Sequence, residues 1–162
     1  MIQRLHISVA DQRLVLYESD KVLFESIVST AKNGVGELNG SGCTPRGEHI
    51  IRAKIGAKQP INTVFVGRRP TGEVYSEQLN AVLPHRDWIL TRILWLSGCE
   101  LGKNRLGNVD TMRRYIYIHG SPDTAVMGQP GSHGCIRMHN RDVMTLFDHI
   151  DLGTKVMISE TE

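Results

Sequence analysis

The chain has 162 residues, 40% of them hydrophobic and 22% charged, enough to bury the core of one domain without disulfides or metals to hold it. Its formal net charge of +2 is too small to mark a binder of nucleic acid or of a membrane surface. No run of about 18 apolar residues offers a spanning helix, and the 16 glycines point to many turns and so to a strand-rich chain.

The start, "MIQRLHISVADQRLVLYES", alternates polar and apolar residues from its second position. Residues 2–9 and 12–18 read as two strands joined by a tight turn at Ala10-Asp11, and "KVLFESIVS" (21–29) follows Ser19-Asp20 as the third strand of a meander. A secretory signal needs an uninterrupted apolar core, which this start lacks. With Met1 as the native start, the expectation is a cytoplasmic protein, and a trimmed start leaves the periplasm open. Cys43, Cys99 and Cys135 form no even framework and no C-x-x-C pair, consistent with a reduced compartment.

Residues 30–49, "TAKNGVGELNGSGCTPRGEH", are rich in glycine and read as a long surface loop, a length that often marks function. Strand patterns resume at "HIIRAKI" (49–55) and "NTVFV" (62–66). "ILTRILWLSG" (89–98) also fits a helical stripe, but Pro84 and Ser97-Gly98 at its flanks favour a buried strand. "RRYIYIHG" (113–120) is a strand with His119 at its end. "HNRDVMTLFDHIDLG" (139–153) is the clearest helix: Asn140 as cap, Asp142 in the first turn, and an apolar stripe of Val143, Leu146, Phe147 and Ile150. "TKVMISE" closes the chain as a strand. The expectation is one α+β domain, mainly β, over residues 1–162.

Chemistry concentrates in "IHGSPDTAVMGQPGSHGCIRMHN" (118–140). A free thiol ionises near about pH 8.5, so at neutrality a nucleophilic cysteine needs an imidazole to take its proton or to stabilise its thiolate. Both His119 and His133 qualify as partners of Cys135. His133 sits two residues away with little freedom to adjust, whereas His119 ends a neighbouring strand and can face the thiol across a cleft. Gly131 and Gly134 allow a sharp turn that aims successive N–H groups at one spot, as an oxyanion requires. Arg137 has the fork for a substrate carboxylate, or for pairing with an acidic residue such as Asp142. Cys43 and Cys99 read as structural thiols, and His6, His49, His85 and His149 as surface or capping residues. A metal site built from His133, Cys135 and His139, with or without His119, does not match paired-ligand zinc spacing. A reactive Cys135 is expected to label faster than Cys43 and Cys99 near neutral pH.

"IHG…SHGCIRM" followed by "NRDVMTLF" resembles the catalytic motif of the L,D-transpeptidase (YkuD-like) family, and "CTPRGEH" resembles its T-P-x-G segment through Thr44, Pro45 and Gly47. The resemblance runs from about Val28 to the end. It implies a single YkuD-like, β-sandwich-like mixed sheet with few helices, Cys135 as acylated nucleophile, and His119 as base. It further implies that the Gly120 carbonyl orients the imidazole and that N–H groups of His133, Gly134 and Cys135 form an oxyanion hole. His133, Ser132 and Arg137 become lining or substrate-binding residues. The implied substrate is a peptidoglycan stem peptide or muropeptide, cleaved at an L-to-D bond with release of terminal D-alanine. No metal or organic cofactor is implied, and carbapenems are the expected covalent inhibitors. With water as acceptor the product is an L,D-carboxypeptidase's tripeptide, the favoured reading for a cytoplasmic enzyme of muropeptide recycling. With an amine it is a 3→3 cross-link or an anchored protein, made in the periplasm. A non-catalytic wall-binding or thiol redox protein stands as the alternative of a different class. Residues 32–47 and 68–87 are the expected cleft walls.

Overall fold

The N-terminal meander forms as its alternation dictates: β1 (Gln3–Ser8), β2 (Arg13–Glu18) and β3 (Lys21–Ile27) pair antiparallel in sequence order. The computed structural model describes residues 2–161. Its further strands are β4 (Gly47–Ile55), β5 (Thr63–Val66), β6 (Arg69–Val74), β7 (Ile89–Gly98), β8 (Tyr117–Ser121), β9 (Ile136–His139) and β10 (Lys155–Ser159), with helices α1 (Glu77–Val82) and α2 (Asn140–His149). All ten strands share one mixed sheet, ordered β3-β2-β1-β10-β4-β7-β5-β6, with β8 added on β7 and β9 on β8.

The sheet branches at β7. Its Ile93–Gly98 half pairs with β4, its first two residues pair with β5, and β8 takes the other edge from Leu90 to Trp95. Because side chains alternate along a strand, this region has two different faces. Leu94, Leu96, Ile118, Ile136 and Met138 point into the main core, where α2 covers them with Val143, Leu146, Phe147 and Ile150. Burying each such side chain stabilises the fold by roughly 1.5–3 kcal/mol. Ile93, Trp95, Tyr117 and Cys135 belong to a separate, smaller cluster on the opposite face, and that is the face open for chemistry.

The long buried strand at residues 89–98 and the helix stripe form as expected; other features of this chain differ from the sequence reading, among them the strand expected at 113–120, which begins only at Tyr117 after a turn through residues 111–115. β6 and α1 fill residues 69–82, where no element was expected, because β6 is largely exposed and α1 buries no residue. The third strand stops at Ile27, and the motif itself supplies β9. Asn140 is not the helix cap: His139 holds that position without a side-chain bond, and Asn140 is the buried first residue of α2. The segment 30–49 is not wholly surface, since Thr30, Ala31 and Thr44 are fully buried beneath the motif.

Candidate active site

β8 and β9 run parallel with His119 opposite Arg137. That register sets Cys135 beside Tyr117 and puts Tyr117, His119, Cys135 and Arg137 on one face of the sheet. The Tyr117 N–H donates to Cys135 Sγ at 3.3 Å, and the thiol donates to the Tyr115 carbonyl at 3.4 Å. Cys135 and His119 both line a cavity of about 410 Å³, together with Arg68, Asp87, Arg114, Tyr115, Ser132 and His133. Of the two histidines open to the sequence reading, His119 is buried on the cavity wall, whereas the His133 side chain is 77% exposed.

His119 Nδ1 lies 2.6 Å from the Gly120 carbonyl. A carbonyl only accepts, so Nδ1 carries the proton and Nε2 keeps its lone pair. Nε2 has no hydrogen-bond partner among the described residues. Burial lowers the His119 pKa, so the ring is neutral and able to accept a proton. A Cβ at Gly120 would sit 2.4 Å from Asn140 Oδ1 and 2.6 Å from the Leu90 carbonyl, so only glycine fits there. The contact is built by a bulge in β7, where Thr91 adopts φ +74°. Its Oγ1 donates to Asn140 Oδ1 (2.6 Å) and accepts from the Asn62 N–H (3.0 Å), while Asn140 Nδ2 donates to Asn62 Oδ1 (2.8 Å). This network packs against Gly120 and was not legible as part of the site; a buried asparagine at a helix start resembles a cap in sequence.

The sulfur of Cys135 packs against the Phe65, Ile93 and Tyr117 cluster. Desolvation pushes its pKa up to about 12, with the Tyr117 N–H pulling the other way. That direction runs against the expected reactivity near neutrality, which labelling with iodoacetamide tests. At rest the thiol and the imidazole are both uncharged; the thiol proton is held by the Tyr115 carbonyl, and among the described residues no hydrogen bond joins Sγ to His119, so proton transfer requires the thiol to turn toward Nε2 during attack.

Gly134 adopts φ +132°, and a Cβ there would press on Ile116 Cδ1 at 3.1 Å and the Cys43 carbonyl at 3.3 Å. The loop is braced from below. Thr44 Oγ1 donates to the Gly134 carbonyl and accepts from the Ala31 N–H, both at 2.9 Å. Ser132, buried, donates to the Cys135 carbonyl and accepts from the Gly134 N–H at 3.2 Å. Its hydroxyl is therefore engaged with the loop, and the Gly134 N–H is occupied. The N–H groups of His133 and Cys135 have no partner among the described residues.

Residues 2–158 match the model of the YkuD L,D-transpeptidase catalytic domain. The chain belongs to that family. The Bacillus licheniformis protein YkuD, itself assigned to the L,D-transpeptidases, is 31% identical over 96% of this chain and 65% of its own length. The Bacillus subtilis YkuD is 37% identical over 56% of this chain and 44% of its own. The chain thus spans less than two thirds of either relative. An Enterococcus faecium L,D-transpeptidase structure covers 98% of this chain and 50% of its own at a TM-score of 0.59 and 15% identity. A Mycobacterium tuberculosis L,D-transpeptidase 3 structure with a faropenem-derived adduct covers 98% and 60% at a TM-score of 0.59 and 14% identity. These structural likenesses establish the fold.

Within this L,D-transpeptidase domain, Arg137 does not pair with Asp142. Its guanidinium donates to Asp87 Oδ1 at 3.0 Å and to the Gly131 carbonyl at 3.1 Å, and His133 Nδ1 lies 3.4 Å from Asp87 Oδ2. Asp87 is 50 residues away in sequence, so no local pattern announced it. Of the expected cleft walls, residues 68–87 contribute Arg68 and Asp87; residues 32–47 act from behind through Arg114, which donates to the carbonyls of Gly36, Glu37 and Cys43. Neither remaining cysteine is a core residue, since Cys43 is half-buried and Cys99 exposed. His49, expected at the surface, is completely buried. Among the described residues no three His, Cys, Asp or Glu side chains converge as a metal-ligating cluster.

Proposed function

We propose that this chain is a cysteine acyltransferase of peptidoglycan stem peptides. Neutral His119 removes the Cys135 proton as Sγ attacks the carbonyl of the L-to-D bond. The proton then passes to the leaving amine, D-alanine departs, and a thioester remains on Cys135. The main-chain donors of His133 and Cys135 support the oxyanion role, where each donor typically contributes about 3 kcal/mol. One observation carries the reading: an imidazole fixed through Nδ1 to Gly120, with Nε2 free, shares a face and a cavity with the thiol.

For the second step we propose water as acceptor, giving an L,D-carboxypeptidase that trims a soluble muropeptide tetrapeptide to a tripeptide. The observation favouring it is the partition beside the site. A neighbouring cavity of about 230 Å³ shares Asp87, His133 and Arg137 with the first but is not lined by Cys135. Arg137 and Asp87, paired with each other, line both spaces, and only the first reaches the sulfur, so we take an incoming stem peptide to share the acyl chain's own cavity. Water needs no such room. The imipenem complex of LdtMt1 and the faropenem-derived adduct of the Mycobacterium tuberculosis L,D-transpeptidase 3, both structural neighbours, support β-lactams, carbapenems among them, as covalent inhibitors at Cys135.

Mass spectrometry with a soluble tetrapeptide tests both steps. Loss of one D-alanine to give a tripeptide is the expected result. Dimeric product alone overturns water as acceptor, and absence of any turnover overturns the acyltransferase reading itself.

A further inference from the structure

Three arginines line the cavity that holds Cys135: Arg68, Arg114 and Arg137. Two are already committed. Arg137 is paired with Asp87, and Arg114 is engaged by three backbone carbonyls, the closest being that of Cys43 at 2.6 Å. Arg68 has neither kind of partner: among the described residues no acidic side chain lies within ion-pair distance of it.

Arg68 is nevertheless fixed in place. It stands at the tip of the β5–β6 hairpin, in a two-residue turn with Gly67 in which both residues have positive φ, +57° and +65°. That turn type prefers asparagine, aspartate or glycine, so an arginine there is conformationally unfavourable. Its guanidinium carbon lies 4.8 Å from the centroids of both Trp95 and Tyr115, and Nη1 donates to the Tyr117 hydroxyl at 3.0 Å. The cradle is itself rigid: Trp95 Nε1 donates to the Met112 carbonyl at 3.1 Å, and the Trp95 and Tyr117 rings meet edge to face at 5.9 Å. Tyr117 also supplies the N–H that holds the nucleophile's sulfur. An aromatic cradle orients a guanidinium without neutralising it and leaves most of its five N–H donors available.

We infer that Arg68 is the specificity-determining residue for the donor peptide, binding a free carboxylate on the side chain of the diamino acid whose α-carbonyl is attacked. This rests on the acyltransferase reading and deepens it by naming the substrate class: stem peptides whose diamino acid carries a second, unmodified carboxylate. The planar fork matches a carboxylate with two parallel hydrogen bonds, which a carboxamide or a plain lysine side chain cannot accept in the same way. Arg137, the residue the sequence favoured for this role, has its charge already matched by Asp87.

The test uses two soluble tetrapeptides identical except that the diamino acid's second carboxyl group is free in one and amidated in the other. D-alanine release is measured for the native enzyme, Arg68→Gln and Arg68→Lys. The native enzyme is expected to favour the free carboxylate by about 10- to 100-fold in kcat/KM, the range for a hydrogen bond to a charged group. Arg68→Gln is expected to remove that preference by raising KM for the carboxylate peptide alone, and Arg68→Lys to retain part of it. Equal alkylation of Cys135 by neutral iodoacetamide in all three proteins shows that the cavity is intact. A native enzyme that releases D-alanine from both peptides equally, or a preference that survives in Arg68→Gln, overturns the inference while leaving acyl transfer standing. A native enzyme that processes neither peptide overturns both.

Discussion

Two buried imidazoles, on β4 and β8, show how one side chain serves two purposes. His49 is saturated: Nδ1 faces the Gly47 carbonyl at 3.0 Å and Nε2 the Thr111 hydroxyl at 2.9 Å. His119 makes the same kind of bond at Nδ1, to Gly120, but leaves Nε2 open to the cavity that holds Cys135. Burial depresses both pKa values, to about 4 for His49. Desolvation therefore does not distinguish a structural histidine from a reactive one. The unspent lone pair does.

The sharpest way to break this comparison is to exchange function at the two positions. His119→Gln is expected to slow acylation of Cys135 by about 100- to 10,000-fold, the usual worth of a positioned base, whereas His49→Asn leaves the acylation rate of the folded protein unchanged. Comparable losses from both variants, in stopped-flow or timed mass measurements, would remove the distinction.

The thiol's own titration comes next in size. With its pKa pushed up to about 12, Cys135 is expected to react with iodoacetamide at a rate that keeps climbing above about pH 9. A plateau near neutral pH would reveal a preformed thiolate–imidazolium pair and contradict the neutral arrangement.

Stability against pH sharpens the His49 side. Its folded pKa is depressed from 6.5 to about 4, so the unfolded chain binds the extra proton as pH falls. The stability is whole above about 6.5 and declines toward 4, by about 3 kcal/mol if that shift is realised in full. His119, also depressed, adds in the same direction. Urea midpoints across this range should fall more steeply for the native protein than for His49→Asn, and identical slopes would discount the buried imidazole. The smallest effect concerns Thr44, saturated like His49 because its hydroxyl bridges Ala31 and Gly134. Thr44→Val is expected to cost about 2 kcal/mol through two unsatisfied backbone groups, read as a lower melting temperature; an unchanged melting temperature would show the brace to be dispensable.

What the sequence made legible follows the same division. Strands whose alternation buries one face, and the Val143–Leu146–Phe147–Ile150 stripe of α2, announce themselves because burial imposes a period. The Cys135 and His119 candidates were visible because glycines and histidines crowd a segment where a packed core would not place them. β6 and α1 were silent because they bury almost nothing. Asp87 and the Asn62–Thr91–Asn140 network were silent for another reason: their partners are brought together only by the sheet, across 50 residues for Asp87 and Arg137 and 49 for Thr91 and Asn140. The upward push on the Cys135 thiol comes from its packing against Phe65, Ile93 and Tyr117, neighbours that no motif announces.

The most direct measurement is intact-mass analysis after exposure to a carbapenem, with the modified peptide mapped. Our account predicts a single covalent adduct on Cys135, formed far more slowly in His119→Gln. An adduct on Cys43 or Cys99, or a native protein that stays unmodified, would contradict it.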